Sequence, residues 1–145
     1  MKRILLAALL LASCGRSGPP DIRISDAWAR ETVAGQTATA AYMTIANSGA
    51  GEDRLIGVAA PAPAMAMLHS SESSGGVARM REMEAGVAIP AGGRIELKPG
   101  GSHVMVTGLG APLEPGQSLK LTLTFEKSGE RPVDVPVSRA AGPGN

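Results

Sequence analysis

"SLKLTLTFEK", residues 118–127, decides the fold class. Leu119, Leu121, Leu123 and Phe125 alternate with Lys120, Thr122 and Thr124. Successive side chains of a strand point to opposite faces, so period two means one buried face and one wet face. Outward from it, nine more short runs read as strands: "IRIS" (22–25), "ATAAYMTIA" (38–46), "RLIGVA" (54–59), "AMAMLH" (64–69), "GVARMREM" (76–83), "GVAIP" (86–90), "RIELK" (94–98), "HVMVTG" (103–108) and "RPVDVPVS" (131–138). Turn chemistry separates them, as in "NSGAGED", "PAGG", "KPGG" and "KSGE". The 19 Gly and 11 Pro belong mostly to these punctuations, and no helical stripe of three turns is visible. The pattern predicts an all-β domain, an antiparallel β-sandwich or Greek-key barrel.

The chain has 145 residues, enough for one domain. Trp28, Tyr42 and Phe125 are its whole aromatic set, so the core must come from aliphatic residues and methionine. A net charge of +1 offers no basic patch for nucleic acid. No apolar stretch reaches the roughly 18 residues of a spanning helix. The start reads as an export signal: "MKR" supplies charge, "ILLAALLLA" is a short apolar core, and "LASC" matches the lipobox of bacterial lipoproteins. The expected organisation is a signal peptide at 1–13, a lipid-anchored flexible tether at 14–21 with Cys14 lipidated, a domain at 22–138 and a loose tail at 139–145. This places the protein on the periplasmic side of a bacterial membrane, inner or outer. Using the one cysteine as an anchor leaves the domain no disulfide and no nucleophilic thiol.

The chain has two histidines, and both sit among methionines. His103 and Met105 are two apart on an expected strand, so they share a face. The pair follows the "KPGG" turn, near a strand end, where a site is open to solvent. Met65, Met67 and His69 share parity in the same way. A return strand brings Met80 toward His69. Thioethers are soft ligands and neutral imidazole suits copper. Structural zinc usually takes thiolates and histidines, and hard ions take oxygen. A neutral set of two imidazoles and two thioethers favours Cu(I) over Cu(II), because it leaves less uncompensated charge. The bland alternative is that the methionines fill a core poor in aromatics.

The spacing resembles the periplasmic copper chaperone family PCu(A)C. That family's signature is a histidine, ten intervening residues, a methionine, and a distant His-x-Met. Here His69 is followed by ten residues and Met80, and "HVM" supplies His103 and Met105. "GGVARMREMEAGVAIPAGGRIELKPGGSHVMVTGL" looks like the family's most recognisable block, and the likeness runs from about Ile22 to Val137. The resemblance implies a cupredoxin-like fold and a copper chaperone without enzymatic activity. It implies Cu(I) held by His69, Met80, His103 and Met105. It also implies delivery to a membrane-bound acceptor, in many relatives the copper centre of cytochrome c oxidase.

Two features depart from the family. Ser70 and Ser71 follow His69 where many relatives carry a methionine, and "SRAAGPGN" lacks the His and Met of a Cu(II)-binding tail. Met67, in parity with His69, is an additional candidate ligand. Met83 has the opposite parity to Met80 and is assigned to the core. Trp28 and Tyr42 read as packing residues, Arg30 as half of a surface ion pair, and Glu72 as solvated in the "SSESSGG" loop. The protein is expected to act as a monomer. Two rivals use the same sequence: a copper storage or detoxification lipoprotein, and a metal-free envelope binding module.

Overall fold

Ten strands and no helix make up the regular structure of residues 18–139, the part of the chain described by a computed structural model. The signal segment 1–13, Cys14 and tail positions 140–145 lie outside the described residues. The strands are β1 (Ile22–Arg30), β2 (Ala38–Asn47), β3 (Asp53–Ala59), β4 (Met65–Ser74), β5 (Val77–Glu82), β6 (Val87–Ile89), β7 (Arg94–Leu97), β8 (His103–Thr107), β9 (Ser118–Phe125) and β10 (Gly129–Ser138). Each run expected from the sequence becomes one of them. The pairing order is β5-β4-β8-β2-β1-β10-β9-β3-β6, with β7 beside the second half of β2. All pairings are antiparallel except a short parallel seam, where Ala29 pairs with Val137 and Arg30 with Ser138.

That seam joins two layers around one core. Ala41, Met43, Ile45, Leu68, Val104 and Val106 come from one side. Leu55, Ile89, the three β9 leucines, Phe125, Val135 and Val137 come from the other. The four alternating β9 side chains are all buried, as their period required. Met83 packs against this core too. The architecture is the expected cupredoxin-like β-sandwich.

Two strands run well beyond their sequence pattern, β1 and β4. β1 continues through "DAWAR" because a bulge between Ser25 and Trp28 absorbs an extra residue. Asp26 takes a φ of 53° there, a left-handed conformation that Asp tolerates better than most side chains. Ser25 pairs with Thr44, so an unbulged strand would set Ala27 opposite Tyr42; the bulge sets Trp28 there instead. Likewise "SSESS" is strand, not loop. β4 runs to Ser74, and the turn to β5 is only Gly75–Gly76, both at positive φ, the geometry of a tight two-residue hairpin. Glu72 is exposed, as expected, but on a strand opposite Arg79.

Two buried polar side chains tie the loops at one end of the sandwich. Asn47 accepts from the backbone N–H groups of Asp21 and Gly49 and donates to the carbonyl of Gly51. Gly18–Asp21, the end of the expected tether, is thereby held against turn 48–51. A Cβ on Gly49 or Gly51 would collide with that segment's backbone. The packed domain thus includes Gly18–Asp21 as well as 22–138. Asp53 accepts from the N–H groups of Arg54, Lys127 and Ser128 and so closes the β9–β10 turn. Burial alone pushes its carboxyl up. The Ser128 side chain and the three backbone donors outweigh that and hold it below the ordinary value.

Candidate metal centre

The outer face of β4, β8 and β5 carries the candidate donors. Leu68, Val104 and Val106 point to the core, so their neighbours Met67, His69, His103 and Met105 point away from it. Register then aligns them. His69 pairs directly with His103, and Met67 directly with Met105. On the other side of β4, Met80 pairs with Ser71 and Glu82 with His69. Met80 is therefore diagonal to His69, about 7–8 Å away between backbones and within reach of a long side chain. The structure brings all four expected donors onto one face, with Met105 and Met80 on opposite sides of the histidine pair. Met67 lies on that face as well.

The two histidines differ in surroundings. His103, the first residue of β8, is only 7% exposed, so this part of the site is less open than its place after the "KPGG" turn led us to expect. Its Nδ1 lies 3.1 Å from the carbonyl oxygen of Gly101. A carbonyl can only accept, so the contact needs the hydrogen on Nδ1, and in the neutral ring that leaves the Nε2 lone pair for another partner. The same carbonyl accepts from the N–H of Ser71, which ties β4 to the turn before β8. His69 is half-buried, and its Nδ1 is buried with no hydrogen-bond partner. The ring centroids are 5.9 Å apart at 74°, an edge-on arrangement.

Aromatic packing extends this row. Tyr42 stands beside His103 with centroids 6.4 Å apart, and Trp28 lies 4.6 Å from Tyr42. Trp28, Tyr42, His103, His69 and Glu82 thus form one rung across five strands. The rung's existence was not apparent from the sequence. Reading Gly75–Gly76 as a two-residue turn would have revealed Glu82 opposite His69. Arg30 does not form the expected ion pair among the described residues. It borders a cleft of about 260 Å³ that reaches Met105 over Ala38 and Ala40.

The donor set has a definite chemical character. Among the described residues, no group of three or more His, Cys, Asp and Glu could hold a metal ion. Two imidazoles with flanking thioethers make a soft, neutral set, suited to a soft monovalent ion and poor for hard cations. The orphaned Nδ1 of His69 is what a site awaiting an ion would contain, since an unpartnered buried nitrogen is costly.

Solved structures share this architecture. The copper-bound PCuAC domain from PmoF2 superposes with a TM-score of 0.68 at 28% identity, over 85% of this chain and 97% of that one. Apo-DR1885 from Deinococcus radiodurans gives 0.64 at 29% identity, over 97% and 93%. Its CuI form gives 0.62 at 30% identity, over 82% and 80%. The domain is thus of the PCuAC class. A family profile described as "Putative lipoprotein LpqE-like" matches residues 22–137. "Putative lipoprotein Lxx21020" of Leifsonia xyli subsp. xyli (strain CTCB07) is 39% identical over 121 residues, 83% of this chain and 72% of that protein. The chain belongs to the LpqE-like lipoprotein family.

Proposed function

We propose that the protein is a copper chaperone of the bacterial envelope, anchored through lipidated Cys14 on the periplasmic side. It carries Cu(I) on His69, Met80, His103 and Met105, with Met67 as a reserve donor, and hands it to a membrane-bound acceptor. The copper centre of cytochrome c oxidase is the favoured acceptor. The observation that carries this reading is the direct pairing of His69 with His103, flanked on the same face by Met105 and Met80. The copper-bound PCuAC neighbours support it independently.

The role is carriage, not catalysis. His103 is pre-oriented by Gly101, so Nε2 is presented without reorganisation. Met80 is 55% exposed on an edge strand, where an incoming ligand can replace it first. Neutral, partly exposed donors make stepwise exchange feasible. A proton competes with copper for each imidazole, so affinity falls on acidification.

The test is an anaerobic Cu(I) titration against a chromophoric chelator, comparing the protein with a His103→Ala, Met105→Ala double variant. One tight equivalent in the parent and none in the variant is expected. A parent that cannot compete with the chelator would sink the chaperone reading.

A further inference from the structure

The face of β4 carries more soft donors than one Cu(I) needs. Met65, Met67 and His69 follow each other at two-residue steps, about 7 Å apart along the strand. Met67 is directly opposite Met105, where paired Cβ atoms stand about 4.5–5.5 Å apart. Met65 is opposite Thr107 and 63% exposed. A methionine serving as core filler would be buried, as Met43 is at 2%. These side chains instead form a line leading from the histidine pair to the rim of the sandwich.

The surroundings of that rim point the same way. Residues 55–71 and 99–113 contain no Asp, Glu, Lys or Arg. Both β4 up to Ser71 and the whole of β8 lie within them, as do the loops that meet at Gly108 and Pro63. No charged side chain from these segments competes for a soft cation or repels it. The rim is also remote from the chain's attachment. Met65 shares a rung with Thr107 and Ala38, the first residue of β2, whereas Gly18–Asp21 is held at Asn47, the last. Ten residues of strand separate the two ends by about 30 Å.

We propose that Met65, Met67 and Met105 form a second, weaker Cu(I) position made of thioethers alone, through which copper leaves the histidine pair toward the end of the sandwich away from the N-terminal attachment. The proposal rests on the histidine–methionine site argued above and assigns its exit. The step is ligand exchange. The Cu–S bond to Met80 and the Cu–N bonds to His69 and His103 break in turn as Cu–S bonds to Met67 and Met65 form, Met105 stays bound throughout, and copper stays Cu(I), three-coordinate at the end, with no electron transferred. Without a histidine the second position binds more weakly than the first, so it holds copper only in passage. The acceptor then meets copper at a rim whose β4 and β8 segments carry no charge, with Arg30 and Glu31 beside Met105 across the cleft over Ala38 and Ala40.

The test uses Ag(I), a redox-inert analogue of Cu(I), and protein labelled with 13C at the methionine methyls. The first equivalent should move the Met80 and Met105 signals, and the second those of Met65 and Met67. Met65→Leu should abolish the second step and slow Cu(I) release to a chelator by about tenfold. It should leave first-site affinity within about twofold and the unfolding temperature unchanged. Met65 and Met67 signals that stay still through two equivalents overturn the proposal. So does movement of all four signals in the first equivalent, or a Met65→Leu variant that releases copper at the parental rate. If Ag(I) moves Met65 and Met67 but never Met80, the thioether position stands and the four-donor site fails.

Discussion

His69 and His103 face each other as a direct cross-strand pair, yet only His103 has its second nitrogen engaged, on the carbonyl of Gly101. The metal-free protein should register that asymmetry. His103→Leu loses a hydrogen bond and leaves the Gly101 carbonyl with one donor fewer, at a cost of about 0.5–1.5 kcal/mol. His69→Leu removes a buried nitrogen that has no partner, so its cost should be near zero or slightly favourable. Chemical denaturation of both variants without copper checks this. Equal destabilisation would mean that His69 has a partner in solution.

Met80 should separate ligation from stability. It lies exposed on the edge strand β5, so Met80→Leu removes a thioether without opening the core. Stability should stay within about 0.5 kcal/mol. Cu(I) affinity should fall roughly tenfold, which is about 1.4 kcal/mol. Chelator competition and thermal unfolding on the same sample read both. Unchanged affinity would remove Met80 from the ligand set.

Asp53 predicts a pH dependence of folding. Its carboxyl is held below the ordinary value of 3.8, so the unfolded chain binds this proton more readily than the folded one. The associated stability is fully present above that ordinary value. It is lost as pH falls through the lowered folded value. Asp53→Asn keeps the shape but removes the charge from three backbone donors. Its denaturation midpoint should fall at neutral pH, and it should lose less stability than the parent between about pH 5 and the acid limit. Parallel acid profiles for parent and variant would contradict the assignment.

Strand existence was legible from alternation alone, since Leu119 to Phe125 and their partners sit on a face that must be dry. The parity of His69 with Met67 and of His103 with Met105 was legible for the same reason. What escaped the reading depended on register. "SSESS" has no apolar alternation because both its faces are largely wet, so its strand character comes from pairing with β5, which periodicity cannot show. The bulge at Asp26 shifts Trp28 by one place, and that shift alone puts the indole against Tyr42. Glu82, not Met80, is opposite His69 because the Gly75–Gly76 turn is two residues long. The Gly101 carbonyl that orients His103 is a backbone group with no side-chain signature.

Asn47 should act through the N-terminal segment. It is 1% exposed and bonds to Asp21, Gly49 and Gly51. Asn47→Ala strands three partly buried backbone groups and the buried carbonyl of Ile89, and should cost about 1–3 kcal/mol. Amide exchange should rise first in Gly18–Asp21 and turn 48–51, while β9 amides stay protected. Cu(I) affinity should not change, since the histidine rung meets β2 at Tyr42, inside the strand and away from its last residue, Asn47. Loss of copper binding would mean that the two ends of β2 are coupled.

Metal selectivity follows from the softness of the donors. Zn²⁺ prefers four ligands drawn from thiolate, imidazole and carboxylate. Glu82 pairs with His69 in register, yet among the described residues it does not join the two imidazoles in a group able to hold a metal ion, which leaves thioethers as the remaining donors. Thioethers contribute little to zinc and much to Cu(I). A tenfold excess of Zn²⁺ should therefore leave bound Cu(I) in place, and Glu82→Gln should not alter Cu(I) affinity beyond about twofold. Competition followed by the chelator's absorbance reads both. Zinc that displaces copper in the parent but not in Glu82→Gln would make Glu82 a ligand and the site a mixed one.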